Sequence, residues 1–118
     1  MRYPIIPVPK PRQTRSDKWK QRDCVMRYRA FADQVRAAGV KLLPGATVIF
    51  YIPMPKSWSN KKREMMDNAP HLQTPDTDNL IKALSDAVYQ DDCAMWRYGR
   101  VEKRWAYEGS ILIINEGE

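Results

Sequence analysis

Thr74-Pro75-Asp76-Thr77-Asp78-Asn79-Leu80-Ile81-Lys82-Ala83-Leu84-Ser85-Asp86-Ala87-Val88-Tyr89 is the stretch on which the reading of this chain turns. Leu80, Leu84, Ala87 and Val88 recur at helical spacing, so Asp78 to about Tyr89 is expected to be a helix with those four on its inner face. Pro75 disfavours helical backbone at Thr74, so the chain is expected to reach the acids extended. In extended chain, residues two apart project to one side, which lets Asp76 and Asp78 aim at a common point. Two hard carboxylates at one point are what Mg²⁺ accepts, with water and phosphate oxygens filling its octahedron. Lys82 follows Asp78 by one helical turn on the same face. From there an ammonium could contact a phosphate, stabilise charge building in a transition state, or assist a proton transfer.

The same residues also suit plainer roles. Asp78 is a good helix N-cap, and Asp78 with Lys82 is the favoured orientation for a surface ion pair. Asp76 suits a solvated loop, and Asp91-Asp92 suits a turn before a strand. An Asp-x-Asp alone specifies little. Competing chemistries fit worse. An EF-hand loop needs a further ligand, a glycine and a distal glutamate at fixed offsets, and none follows. Gln73-Thr74-Pro75 is not the apolar strand that leads into a phosphatase nucleophile. His71, the single histidine, reads as a loop residue, and no zinc set can be assembled around it. The five glycines are scattered, so no phosphate-cradling loop is present.

Outward from the motif, Ala46 to Ile52 is a β-branched and aromatic run that reads as a buried strand after a Pro44-Gly45 turn. Between them lies a long excursion carrying Lys56, Trp58, Lys61, Lys62 and Arg63, with a short helix expected around 60–67. Such excursions in compact domains are usually functional or mobile. Upstream, a helix is expected to start near Ser16, with Asp17 in its first turn. Its buried stripe would be Cys24, Tyr28, Phe31, Val35 and Ala38, and Gly39 would stop it. Residues 3–8 suit a strand that Pro4, Pro7, Pro9 and Pro11 confine to a sheet edge. Downstream, 94–107 reads as a long strand with a bulge at Gly99, followed by a Glu108-Gly109 turn and a return strand over Ser110 to Asn115. The order β-α-β-(α)-α-β-β gives an α+β fold, helices packed on a small mixed sheet, in one domain over 1–118.

Charge adds a partner class. Residues 1–41 hold eleven Lys or Arg against Asp17, Asp23 and Asp33, while 42–118 hold nine against eleven acids, so the net +6 is concentrated at the N-terminal side. A basic surface attracts polyanions by counterion release, although a solvated basic helix face would look alike. No apolar run approaches the ~20 residues of a membrane span, and Met1-Arg2-Tyr3-Pro4 is no signal peptide. Cys24 and Cys93 lack CxxC spacing and read as free thiols, which points to a reducing cytoplasm.

Asp-x-Asp-Asn-Leu-x-Lys at 76–82, then Asp86-Ala87, then Asp91-Asp92, resembles the RusA family of Holliday junction resolvases. Pro53-Met54-Pro55-Lys56-Ser57-Trp58-Ser59 with Lys61-Lys62-Arg63 resembles its phage and prophage branch, and the likeness is firmest over 46–96. The resemblance implies a homodimeric endonuclease, dependent on Mg²⁺ or alternatively Mn²⁺, in a bacterial or phage-infected cell. It implies paired symmetric nicks in four-way DNA junctions during recombination and repair, with no membrane and no organic cofactor. The family's motif carboxylates fall on Asp76 and Asp78, its lysine on Lys82 and its third carboxylate on Asp92, while Asp91 matches the acid before it. The connection from helix to acidic pair is shorter here than in the family's best-known member, which leaves Asp91 and Asp92 as alternatives.

A length argument bears on the dimer. A helix of about eleven residues from Asp78 carries its far end roughly 16 Å away, and two or three residues cannot bring Asp92 back. Each metal site is therefore expected to take Asp76 and Asp78 from one chain and Asp92 from the other, across a two-fold axis. Lys56, Trp58, Lys61, Lys62 and Arg63 rank first for DNA contact, then Arg15, Lys18, Lys20 and Arg22, then Arg97, Arg100 and Lys103. Trp58 suits either base stacking or core packing. Two other readings remain open: a non-catalytic basic DNA-binding module with solvated helix-capping acids, and a dimeric structural protein that is basic by accident.

Overall fold

The computed structural model describes residues 1–11, 23–89 and 94–117. Its elements are β1 (Arg2–Tyr3), α1 (Asp23–Ala37), β2 (Thr47–Pro53), α2 (Asn60–Met66), α3 (Thr77–Tyr89), β3 (Val101–Ala106) and β4 (Ser110–Ile114). They form a four-stranded mixed sheet, order β1-β4-β2-β3, with α1 and α3 packed together. The α+β layout expected from the element order is the one observed.

The core follows from two periodicities. On α3, Leu80, Ala83, Leu84 and Ala87 step 3, 1, 3 and are wholly buried, while Val88 is half-buried at the margin. On α1, Phe31, Ala32 and Val35 are buried. In β2, Val48 and Phe50 alternate inward, and their antiparallel partners Ile113 and Ile111 of β4 lie on the same face. The opposite face carries half-buried Ile49 and Leu112 and exposed Ile114.

α1 stops where the sequence places its stop. Gly39 takes φ 62, the Gly39 N–H donates to Arg36 O at 3.1 Å, and the Val40 N–H donates to Val35 O at 3.4 Å. This is a Schellman closure, which needs the left-handed conformation that glycine adopts cheaply. Ala38, expected on the buried stripe, sits in the turn beyond the helix and is exposed, while Cys24 and Tyr28 are only half-buried. The expected start at Ser16 and Asp17 lies outside the described residues. β1 is shorter than expected because Pro4 ends it, but it does sit at a sheet edge, pairing with β4.

The C-terminal part departs from expectation. β3 and β4 are not a hairpin: both pair with β2, on opposite sides, β3 parallel and β4 antiparallel. Tyr107 to Gly109 therefore pass over the end of β2 rather than folding β4 back onto β3. The reason is that β2, α3 and β3 form a parallel crossover, which claims one side of β2, while β4 satisfies the backbone groups on the other. The strand expected over 94–107 is correspondingly shortened. Residues before Val101 instead line the start of β2, with the Gly45 N–H donating to Arg97 O at 2.9 Å and the Val48 N–H to Arg100 O at 2.8 Å. Gly99 is no bulge. Its N–H donates to Ala46 O at 2.8 Å, and a Cβ there would meet Gly45 O at 2.8 Å and Thr47 Oγ1 at 2.9 Å.

Candidate metal and DNA site

The chain reaches its acidic motif along the outer edge of β3. The Asn68 N–H donates to Trp105 O at 2.8 Å, the Trp105 N–H to Ala69 O at 3.0 Å, and the His71 N–H to Lys103 O at 3.1 Å. Pro70 bridges Arg104 in antiparallel sense. Beyond it, the Lys103 ammonium donates to the carbonyls of Gln73 and, at 2.7 Å, Pro75. The chain then enters α3, where the Leu80 N–H donates to Asp76 O at 3.2 Å.

This placement refines the expected local geometry. The helix begins one residue earlier than expected, at Thr77, so Asp76 occupies the capping position and Asp78 lies in the first turn. The two acids are thus not neighbours on one side of an extended strand. Both are exposed at the N-terminal end of α3, where the helix dipole favours negative charge and phosphate oxygens. Neither Asp76 nor Asp78 enters an ion pair among the described residues, so the plainer reading of Asp78 and Lys82 as a surface pair does not hold there. Lys82 is exposed one turn further on. Asp92, with its alternative Asp91, lies outside the described residues. Among those described, no group of three His, Cys, Asp or Glu side chains could hold a metal. Asp76 and Asp78 each offer the hard carboxylate oxygens that a divalent cation such as Mg²⁺ accepts, and both are exposed at this end of the helix.

Three features were missed from sequence. Lys10 pairs with Asp86, two turns beyond Asp78 on α3, and the Lys10 N–H donates to Asn79 O at 3.3 Å. The segment ending at Lys10 is thereby strapped along the motif helix. Nothing local signals a contact across 76 residues. Nearby, burial pushes the Tyr28 hydroxyl up, with Asp86 adding to the effect. Second, His71 is a loop residue but a buried one, its ring 4.1 Å from that of Trp105. Burial pushes its pKa down, the Lys103 charge adds to this, and Nδ1 has no hydrogen-bond partner among the described residues. Third, Glu102 is held below the usual carboxylate range by Arg104 and Arg100.

The basic excursion is laid out as follows. Lys56, Lys61 and Lys62 are exposed, and Ser59 caps α2 by accepting from the Lys62 N–H at 3.2 Å. Trp58 is half-buried, 4.8 Å from Trp105, and carries the Lys62 ammonium 4.2 Å from its ring centre. Packing therefore accounts for this ring. Arg63 is half-buried with its guanidinium over Tyr107. Of the third-ranked cations, Arg97 pairs with Glu116, Arg100 with Glu102, and Lys103 is committed to the two carbonyls. Arg15, Lys18, Lys20 and Arg22 lie outside the described residues, as does Cys93, while Cys24 is a free, half-buried thiol.

The family model described as endodeoxyribonuclease RusA matches residues 4–114. The chain belongs to the RusA family. The match takes in both motif acids, Lys82 and the basic excursion, and membership in RusA makes the protein an endodeoxyribonuclease. No curated protein and no solved structure matches the chain. No helix among the described residues is long and apolar enough to cross a membrane.

Proposed function

We propose that this RusA-family protein resolves four-way DNA junctions by paired, symmetric nicks, working as a homodimer with Mg²⁺, or alternatively Mn²⁺, in the cytoplasm of a bacterial or phage-infected cell. The observation that carries the reading is a family match over nearly the whole chain that includes two exposed acids at the N-terminus of α3, neither in an ion pair among the described residues. Asp76 and Asp78 of one chain and Asp92 of the other hold the ion. The length of α3 supports this division. Asp78 to Tyr89 spans roughly 16 Å, whereas three residues of fully extended chain reach only about 10 Å, too short a length to bridge from the end of α3 back to Asp76.

A divalent ion held there supplies charge neutralisation at the scissile phosphate and a more acidic attacking water. The chain's own groups do the rest. The positive end of α3 draws the phosphate in, and the Lys82 ammonium stabilises charge that builds on it. Lys56, Lys61, Lys62 and Arg63 grip the backbone of the branched DNA, and Trp58 presents Lys62 to it. Junction preference then comes from the spacing of two such basic faces on a symmetric dimer.

A synthetic four-way junction incubated with and without Mg²⁺ tests the reading. Expected are paired nicks only with the ion. Asp76→Asn is expected to abolish nicking while leaving binding nearly intact, because phosphate contacts carry most of the affinity. Wild-type nicking by Asp76→Asn would remove Asp76 from the mechanism, and binding without nicking by the wild type would leave a DNA-binding module.

A further inference from the structure

We propose that Lys103 is a positioning residue for Asp76, acting by holding the two carbonyls that precede it. Lys103 lies on β3 opposite Phe50 of β2, so in the parallel ladder it shares the sheet face on which α1 and α3 pack. An ammonium on that face would normally be costly, and it is half-buried here. Its partners explain it. Nζ donates to Gln73 O and to Pro75 O, leaving one donor for solvent. Both are charge-assisted hydrogen bonds, stronger than bonds between neutral groups.

The consequence is mechanical. Main-chain bonds from β3 end at His71, and the helical bonds of α3 begin at the Asp76 carbonyl. Residues 72–75 between them are exposed apart from half-buried Pro75. Within that gap the Lys103 side chain ties Gln73 and Pro75, the latter directly before Asp76, to the rigid sheet. A ligand carboxylate next to an untethered loop would wander, and misplacement by ~1 Å can cost about 100-fold in rate. The sequence suggests a DNA contact for Lys103, but its charge is spent on the protein's own backbone.

The inference rests on the reading of Asp76 as a metal ligand. The test compares wild type, Lys103→Met, Lys103→Arg and Asp76→Asn as full chains, with a readout that needs no catalysis. Mn²⁺ alone is titrated by calorimetry, alongside junction affinity over a range of salt, melting temperature without metal, and the Mg²⁺ dependence of nicking. Expected for Lys103→Met is Mn²⁺ binding weakened about tenfold or more and half-maximal nicking at correspondingly higher Mg²⁺. Junction affinity and its salt slope should stay near wild type, while the metal-free melting temperature should fall because two charge-assisted hydrogen bonds are lost, so Mn²⁺ binding is measured well below it. Lys103→Arg, which keeps donors for both carbonyls, should recover most of the loss. Lys103→Gln, which keeps donors without the charge, takes the place of the Met variant if that one does not fold. Wild-type Mn²⁺ binding by Lys103→Met would overturn the inference, as would a loss of junction affinity with a shallower salt slope, which marks a phosphate contact. A wild type that binds no Mn²⁺ and nicks nothing would instead overturn the reading of the site itself.

Discussion

Replacing Lys10 by Met removes the cation that faces Asp86 across the strap over α3. The Lys10 side chain is 36% exposed and that of Asp86 only 14%, so the pair lies between two regimes. A solvent-exposed pair contributes about 0.2–1 kcal/mol, whereas removing one partner of a fully buried pair costs about 3–5 kcal/mol. With the lysine a third exposed and the carboxylate nearly enclosed, Lys10→Met should cost about 2 kcal/mol. Lys10 has a further interaction beyond this pair, so the single variant overstates the pair itself. A double-mutant cycle with Asp86→Asn isolates it, with an expected coupling of about 1 kcal/mol. Urea unfolding is the assay: the midpoint should fall with an unchanged m-value. The melting temperature should fall by about 3–5 °C for each kcal/mol in a chain of this size. Because the lysine side chain is partly exposed, salt screens the pair, and part of the coupling should disappear at high salt. A coupling within error of zero at low salt would mean that the strap is held by packing alone.

Three further outcomes follow from the packing. Gly99→Ala should destabilise by about 1–3 kcal/mol in the same urea assay, because the new methyl meets the backbone oxygen of Gly45, which has little room to move; a neutral result would mean that the 94–100 segment is loosely held. Trp58→Ala should cost about 2 kcal/mol through loss of its tilted ring contact with Trp105, and Trp58→Phe should cost less, so a Trp58→Ala chain that melts like wild type would leave the ring free for a base. His71 has a depressed pKa in the folded chain, so the unfolded chain takes up its proton first as pH falls. Stability from this group is therefore complete above about pH 6.5 and declines as pH drops from there towards the folded value. Melting temperatures between pH 7 and 5 should show the decline in wild type and a flatter profile in His71→Phe.

The chain's local chemistry determined a good deal. The 3.6-residue recurrence of Leu80, Leu84 and Ala87, the strand in the β-branched run from Ala46 to Ile52, and the stop at Gly39 depend on neighbours in sequence, and each is observed. The acidic heptad with its basic excursion was likewise enough to indicate the family. Strand partnership was not legible. Three residues from Tyr107 to Gly109 suit a tight hairpin as well as a passage over β2, and the choice depends on which strand has a side open after the α3 crossover. Residue roles that depend on long-range contact were hidden for the same reason. Lys103 read as a surface cation until the fold set Gln73 and Pro75 against it, and Lys10 gave no sign of Asp86. Periodicity and capping are encoded within a few residues, whereas pairing of strands and burial of charges are settled by whatever the whole chain brings near.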